Sequence, residues 1–263
     1  MVWGKEMDQL FQSTSLGPLT LKNRIVRSAT NEHLSEPDGQ VTRAWADALI
    51  ELAAHEVGLV ISGHFCVDAS QRADEGQPVL DEKTDREILR CAADGVHQYG
   101  SKVLIQLSHS GIKAMERVNG AAAKHPEDFS LSELDRLVER FVYAAECCKV
   151  CGFDGVQIHT AHGYLLSNFL NLSENRRTDA YGGSLENRFR LIARILSAVR
   201  AACGDDFAAL AKADCNGCGD FPALLKLYES CGVDAVEVSG VDFNHRAGQK
   251  TPFYAQALLQ GSN

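Results

Sequence analysis

The stretch that decides the fold reads GFDGVQIHTAHGYLLSNF, residues 152–169. It opens on a glycine, continues as a short apolar run, and then presents His159, His162 and Tyr164 in quick succession. Upstream, Leu131, Leu134, Leu137, Val138, Phe141, Val142 and Ala145 recur at spacings of three and four, which makes one apolar face of a helix over 131–151. Ser130 and Glu133 have the spacing of a capping box at its start. Gly152 is suited to the left-handed stop at its end. Helix, glycine, buried strand and polar strand end together make one βα repeat.

The same order recurs along the chain. RIVRSA (24–29), GLVIS (58–62), KVLIQL (102–107), FDGVQIH (153–159), FAALAKA (207–213) and VDAVEVS (233–239) read as strands separated by helical segments. One of those segments covers about 184–202. Gly232-Val233-Asp234 repeats the joint made by Gly152-Phe153-Asp154. Strands alternating with helices indicate an α/β protein with a parallel sheet. A doubly wound sheet would carry a G-x-G-x-x-G turn after its first strand. Here that strand runs into Ser28-Ala29-Thr30-Asn31, with no glycine before Gly39. The expected fold is a TIM (β/α)8-type barrel with only about six βα units, a single domain over 1–263 that is incomplete at its C-terminus. Residues 252–260 read as a last helix, and six strands leave two sheet edges with unpaired backbone groups.

Composition narrows the function. The 263 residues are 45% hydrophobic and 23% charged, with a formal charge of −9, so the basic footprint of a nucleic-acid binder is missing. No apolar run approaches the roughly 18 residues of a membrane-spanning helix. The start, MVWGKEMDQLF, lacks the basic and apolar regions of a secretory signal. Nine cysteines in that setting read as reduced thiols. The expectation is a cytoplasmic protein with neither nucleic-acid nor membrane partners.

In such a barrel, chemistry belongs to the C-terminal strand ends. The third strand closes with Gln106, Ser108 and His109, and the fourth with His159, His162 and Tyr164. Lys212 and Asp214 end the fifth, Glu237 and Ser239 the sixth. Imidazole N–H groups can stabilise an oxygen that gains charge, a phenol can deliver a proton, and glutamine can pair with an amide-like edge. That set suits hydride chemistry on a bound heterocycle better than hydrolysis. Each histidine is also open to a structural role. His-x-x-His is in addition a zinc spacing, but no third ligand follows from the pattern, so no metal is expected. Cys215-x-x-Cys218 has no second pair and reads as incidental, while Cys147, Cys148 and Cys151 read as small hydrophobes in packing.

The run HTAHGYLLSNFLNLSENRRTDAYGGSLENRFRL (159–191) resembles the signature of the Old Yellow Enzyme family of FMN-dependent NAD(P)H:flavin oxidoreductases. LGPLTLKNRIVRSA (16–29), VLIQLSHSG (103–111) and VDAVEVSG (233–240) extend the resemblance over nearly the whole chain. It implies a TIM barrel holding FMN at its mouth, reduced by NADH or NADPH. Hydride then passes to the β-carbon of a small electrophilic alkene or to another oxidant. By the same resemblance His159 and His162 hold the substrate carbonyl oxygen and Tyr164 protonates the α-carbon. Gln106 contacts the flavin pyrimidine edge, and Lys212 stands where many members have arginine. Backbone at Ala29, Thr30 and Gly63 lies against the isoalloxazine, and Asn31 replaces a threonine or cysteine near flavin O4. The segment 111–129 is short for the family's capping loop, and Asn171-Leu172-Ser173-Glu174 departs from its Ser-Pro stretch. The family's seventh and eighth strands, which grip the FMN phosphate, have no counterpart in the sequence. Two readings follow: an ene-reductase, or a non-catalytic remnant or partner subunit whose open edges are covered by another chain or by self-association.

Overall fold

The computed structural model describes residues 9–214 and 218–239, and the backbone of a strand at 256–260. A hairpin of β1 (Thr14–Leu16) and β2 (Leu19–Leu21) precedes the main sheet. Six parallel strands then follow in simple order: β3 (Val26–Arg27), β4 (Leu59–Cys66), β5 (Lys102–Ser108), β6 (Gly155–Thr160), β7 (Ala208–Asp214) and β8 (Ala235–Ser239). The helices are α1 (Arg43–Ala54), α2 (Arg86–His97), α3 (Glu116–Asn119), α4 (Leu131–Val150), α5 (Leu165–Leu170), α6 (Leu185–Cys203) and α7 (Phe221–Ser230). The result is an open half-barrel of parallel strands with helices packed on its outside.

Two apolar layers hold it. Outward-facing Val60, Val103, Val156, Ile158 and Ala211 pack against Trp45, Phe141, Leu191 and their helical neighbours. Inside, Leu59, Ile61, Leu104, Leu210 and Ala235 are closed from below by Leu16, Leu19 and Leu21 of the hairpin. Alternate residues of a strand face opposite ways, so one strand serves both layers.

The repeated Gly-x-Asp joint is a structural device. Cys151 ends α4, and Gly152 adopts φ +92°. The Asp154 carboxylate accepts the Val103 N–H at 2.9 Å, while the Asp154 N–H reaches the Val103 carbonyl at 3.0 Å. Asp234 makes the same pair with Ala209, at 2.7 and 3.0 Å. Each aspartate therefore sews the start of one strand to its neighbour. The capping box of Ser130 and Glu133 is also present.

Three expectations change. The first strand shrinks from 24–29 to Val26–Arg27, because the Arg24 and Ile25 N–H groups go to the Leu10 carbonyl and the Asn23 side chain instead of a ladder. The second lengthens to Cys66 through a bulge: Ile61 pairs with Leu104 and then His64 with Gln106, which gives β4 one extra residue. Residues 256–260, read as part of a helix, form β9, which pairs antiparallel with β8 from Ala235–Gln260 to Ser239–Gln256. Edge pairing satisfies backbone groups that a helical turn of this length would leave open at its ends. One of the two expected open edges is thus paired, while β3 pairs only with β4 among the described residues.

Gly155 shows how closely β6 and β7 approach. A Cβ there would collide with the Ala208 carbonyl oxygen and lie 2.7 Å from the Ala208 Cβ. Gly155→Ala is expected to destabilise the chain by about 1–3 kcal/mol, the usual range for overpacking, read as a lower urea midpoint at unchanged m-value.

Candidate active site

The turn after β6 is built from unusual backbone. His162 and Gly163 both adopt left-handed conformations, φ +64° and +70°. For histidine this is a disfavoured region, held only where surroundings over-determine it. Here the Asp214 carboxylate, at the end of β7, accepts the His162 N–H at 2.6 Å and the Ser167 hydroxyl at 3.1 Å. The Gly163 N–H turns back to the Ser167 hydroxyl at 3.2 Å. Tyr164 then caps α5. Two successive left-handed residues turn the chain so that His159, His162 and Tyr164 stay together.

Their rings form one cluster. His159 lies 5.0 Å from His162 and 5.0 Å from Tyr164, centroid to centroid. His64 joins them, 4.8 Å from Tyr164 and 5.8 Å from His159. His159 Nδ1 is buried with no hydrogen-bond partner, and the Tyr164 hydroxyl makes no hydrogen bond within the described residues. His162 Nε2 pairs with the Ser239 hydroxyl at 2.7 Å. Lys113 donates to the His162 carbonyl at 2.5 Å and stands 5.2 Å from the Tyr164 ring centroid.

Burial sets the protonation states. It holds His64 near 4 and His162 near 3, the latter helped by the positive charges of Lys212 and Lys113. His159 is pushed well below its ordinary value by burial and then by its neighbouring histidines. Burial raises Tyr164 to about 12. At neutral pH the cluster is therefore three neutral imidazoles and an intact phenol.

Deeper inside, a polar chain crosses the half-barrel. Gln106 donates to Gln157 at 2.6 Å, and Gln157 donates to Glu237 at 2.9 Å. Glu237 meets Lys212 at 3.0 Å and accepts the Ser28 hydroxyl at 2.5 Å. Lys212 also donates to Ser28 at 3.0 Å. Lys212 and Glu237 are 2% and 3% exposed, so the ion pair is buried and its polar partners offset the loss of water.

The front segment is held by contacts of its own. Asn31 donates to Asp74 at 3.2 Å, and its amide oxygen accepts the His33 N–H, so its side chain is committed there. Gly63 donates its N–H to Glu32 at 3.0 Å, and a Cβ on it would meet the Thr30 carbonyl at 2.7 Å and the Asn31 Cα at 2.8 Å. Ala29 is half-buried and Thr30 exposed. Glu32 is itself paired with Arg27 at 2.8 Å, which pins the segment to β3. The residues taken for cofactor contacts thus fall into an interior pair, Gln106 and Lys212, and a front loop of Ala29, Thr30, Asn31 and Gly63.

Sequence reasoning missed His64, Gln157, Glu32 and Lys113. Gln157 was recoverable, since it shares the inward parity of His159 within a buried strand. The others depend on contacts between distant segments. His109, singled out as a strand-end residue, faces the helical layer instead, edge-on to Phe129 at 5.7 Å. Cys215 lies outside the described residues. No group of three or more potential ligands that could hold a metal occurs among the described residues. None of the described helices is long and apolar enough to cross a membrane.

Comparison with known proteins agrees with this architecture. The NADPH dehydrogenase of Bacillus licheniformis is 33% identical over 276 residues, covering 96% of this chain and 81% of that protein. The NADH oxidase of Thermoanaerobacter brockii is 29% identical, and the chain spans only 39% of its length. Among solved structures, the Old Yellow Enzyme homologue of Zymomonas mobilis superposes with a TM-score of 0.80 at 25% identity, over 88% of this chain and 73% of that one. A 2-naphthoyl-CoA reductase complex gives a TM-score of 0.82 at 23% identity, over 90% and 41%. The sequence pattern of the NADH:flavin oxidoreductase / NADH oxidase family covers residues 9–212, and the chain belongs to that family.

Proposed function

We propose that this chain is an FMN-dependent NAD(P)H oxidoreductase that reduces activated C=C bonds, with Tyr164 as proton donor. The observation that carries this reading is the ring cluster at the mouth: neutral imidazoles and an intact phenol, with His159 Nδ1 buried and unpartnered, beside a buried glutamine and ammonium. Family membership supports flavin and nicotinamide use at the same level.

The residues present fit a flavin chemically. Gln106 offers an amide donor and acceptor for a pyrimidine edge, and Lys212 offers a cation for the ring system's carbonyl side. Flavin, when bound, supplies the hydride it accepts from NAD(P)H. Ala29, Thr30, Asn31 and Gly63 would flank it with backbone, Asn31 through main chain since its amide is held by Asp74.

The chain's own part is charge and proton handling. His159 and His162 would hold the carbonyl oxygen that conjugates with the alkene. As hydride arrives at the β-carbon, that oxygen gains negative charge, which the preorganised N–H donors stabilise. Tyr164 would place its proton on the α-carbon, completing addition of hydride and proton across the double bond. A phenol raised to about 12 stays protonated until a strong base forms beside it.

The direct test is to mix the purified chain with FMN and NADPH and add 2-cyclohexenone. Flavin uptake with enone-dependent NADPH oxidation is expected; neither would sink the reading. Tyr164→Phe is expected to slow enone reduction by about 10²–10⁴-fold. Oxidation of NADPH by a quinone acceptor, which needs no protonation at carbon, should be far less affected. Because the imidazoles titrate below their ordinary range and the phenol above it, turnover is expected to be flat from about pH 5 to about pH 9. A limb near 6.5 in the pH–rate profile would contradict those protonation states. Glu237→Gln leaves the Lys212 charge buried without a carboxylate, and is expected to cost about 3–5 kcal/mol in urea unfolding of the cofactor-free chain.

A further inference from the structure

Glu237 touches both arms of the interior polar chain. Ala235, Glu237 and Ser239 alternate onto the inner face of β8, and Glu237 lands beside Lys212, its register partner on β7. Its two oxygens have different partners. Oε1 takes the Ser28 hydroxyl at 2.5 Å and the Lys212 ammonium at 3.0 Å, while Oε2 takes the Gln157 amide at 2.9 Å. That last contact reaches past β7 to β6, and the carboxylate is 3% exposed.

A carboxylate only accepts, so it dictates how two amides point. Gln157 must turn its nitrogen to Glu237 and its oxygen to Gln106. The Gln106 nitrogen then donates to that oxygen at 2.6 Å. The Gln106 oxygen is left over and accepts no hydrogen bond among the described residues. A charge on β8 thus decides which end Gln106 turns away from the chain. Lys212 is affected in a second way. Seen from beyond their 3.0 Å separation, ammonium and carboxylate act as a dipole, whose field falls off faster than that of a lone charge.

We propose that Glu237 is a positioning residue that sets the reducing power of the flavin site: it cancels most of the Lys212 charge and fixes Gln106 as an acceptor, so that the reduced ring is held less firmly than the oxidised one. This rests on the reductase reading. A reduced flavin carries more negative charge on its pyrimidine side than an oxidised one. A lone ammonium or an amide N–H would stabilise that charge, whereas a cancelled ammonium and an amide oxygen do not. The lower potential favours passing hydride to a reluctant acceptor such as a C=C bond.

The test is a spectrophotometric redox titration of the FMN-loaded chain against a reference dye at fixed pH. Glu237→Gln, equal in size but neutral, is expected to favour reduced over oxidised FMN about tenfold more than the native chain does, an upward shift of about 30 mV for a two-electron couple. Glu237→Asp keeps the charge on a shorter arm and should shift the potential by less than half as much. If Glu237 only filled space the order would reverse, since Gln preserves volume and Asp does not; that order overturns the proposal. Lys212→Met combined with Glu237→Met removes both charges and leaves no lone buried ion, so it serves even where Glu237→Gln does not fold. Cancelled charges predict an unchanged potential in that double variant. A fall of about 30 mV or more would show Lys212 acting as an uncancelled cation, which also overturns the proposal. Enone reduction with the same potential in the native chain and Glu237→Gln defeats the proposal alone. The expected potentials without reduction of 2-cyclohexenone defeat the reductase reading and leave Glu237 its role. No FMN uptake by the native chain defeats both.

Discussion

A buried ammonium has to find a carboxylate, and the interior of this half-barrel is arranged around that demand. Lys212 and Glu237 sit side by side on β7 and β8, 3.0 Å apart and almost without solvent. Neither charge could remain there alone, since an unpaired buried ion costs several kcal/mol. Ser28 bridges the pair from β3, while Gln157 and Gln106 carry the hydrogen bonding on to β6 and β5. The chain of contacts links strands that are not neighbours in the sheet, and so helps fix the curvature that brings their ends together.

Above this layer the arrangement reverses. The interior polar groups are tied to one another, whereas His159 Nδ1, His64 Nε2 and the Tyr164 hydroxyl have no hydrogen-bond partner among the described residues. Buried polar atoms are normally paired, so the orphaned His159 Nδ1 points to a ligand or to ordered water. The strained turn at His162 belongs to the same logic. Asp214 and Ser167 hold a backbone conformation that histidine disfavours, and the gain is the position of three rings.

Much of this was legible in the residue pattern, for identifiable reasons. Strand and helix order followed from periodicity, and the Gly-x-Asp joints followed from their repetition. The signature run 159–191 was readable too, though many of its identities hold backbone and do no chemistry. Asn175 ties the Phe169 and Tyr181 carbonyls, Arg177 ties those of Pro126 and Phe129, and Arg188 ties that of Leu170. What escaped was non-local. The bulge that turns His64 inward leaves no mark in a single strand's sequence, because Ser62-Gly63 fits an ordinary strand end as well. The pairing of 256–260 with β8 depends on an edge created far away, and a short apolar run fits helix or strand alone.

The bulge and the front loop also answer one another. Gly63 lacks a side chain where the segment 30–32 crosses it, and its N–H is taken by Glu32, which Arg27 holds in turn. The extra residue in β4 therefore does two things at once: it frees His64 to face the rings, and it presents a backbone donor that anchors the loop on the opposite side. A larger residue at 63 would push that loop away and disturb the bulge together. The shape of the mouth and the choice of donors within it are thus set by one local irregularity in an otherwise regular parallel sheet.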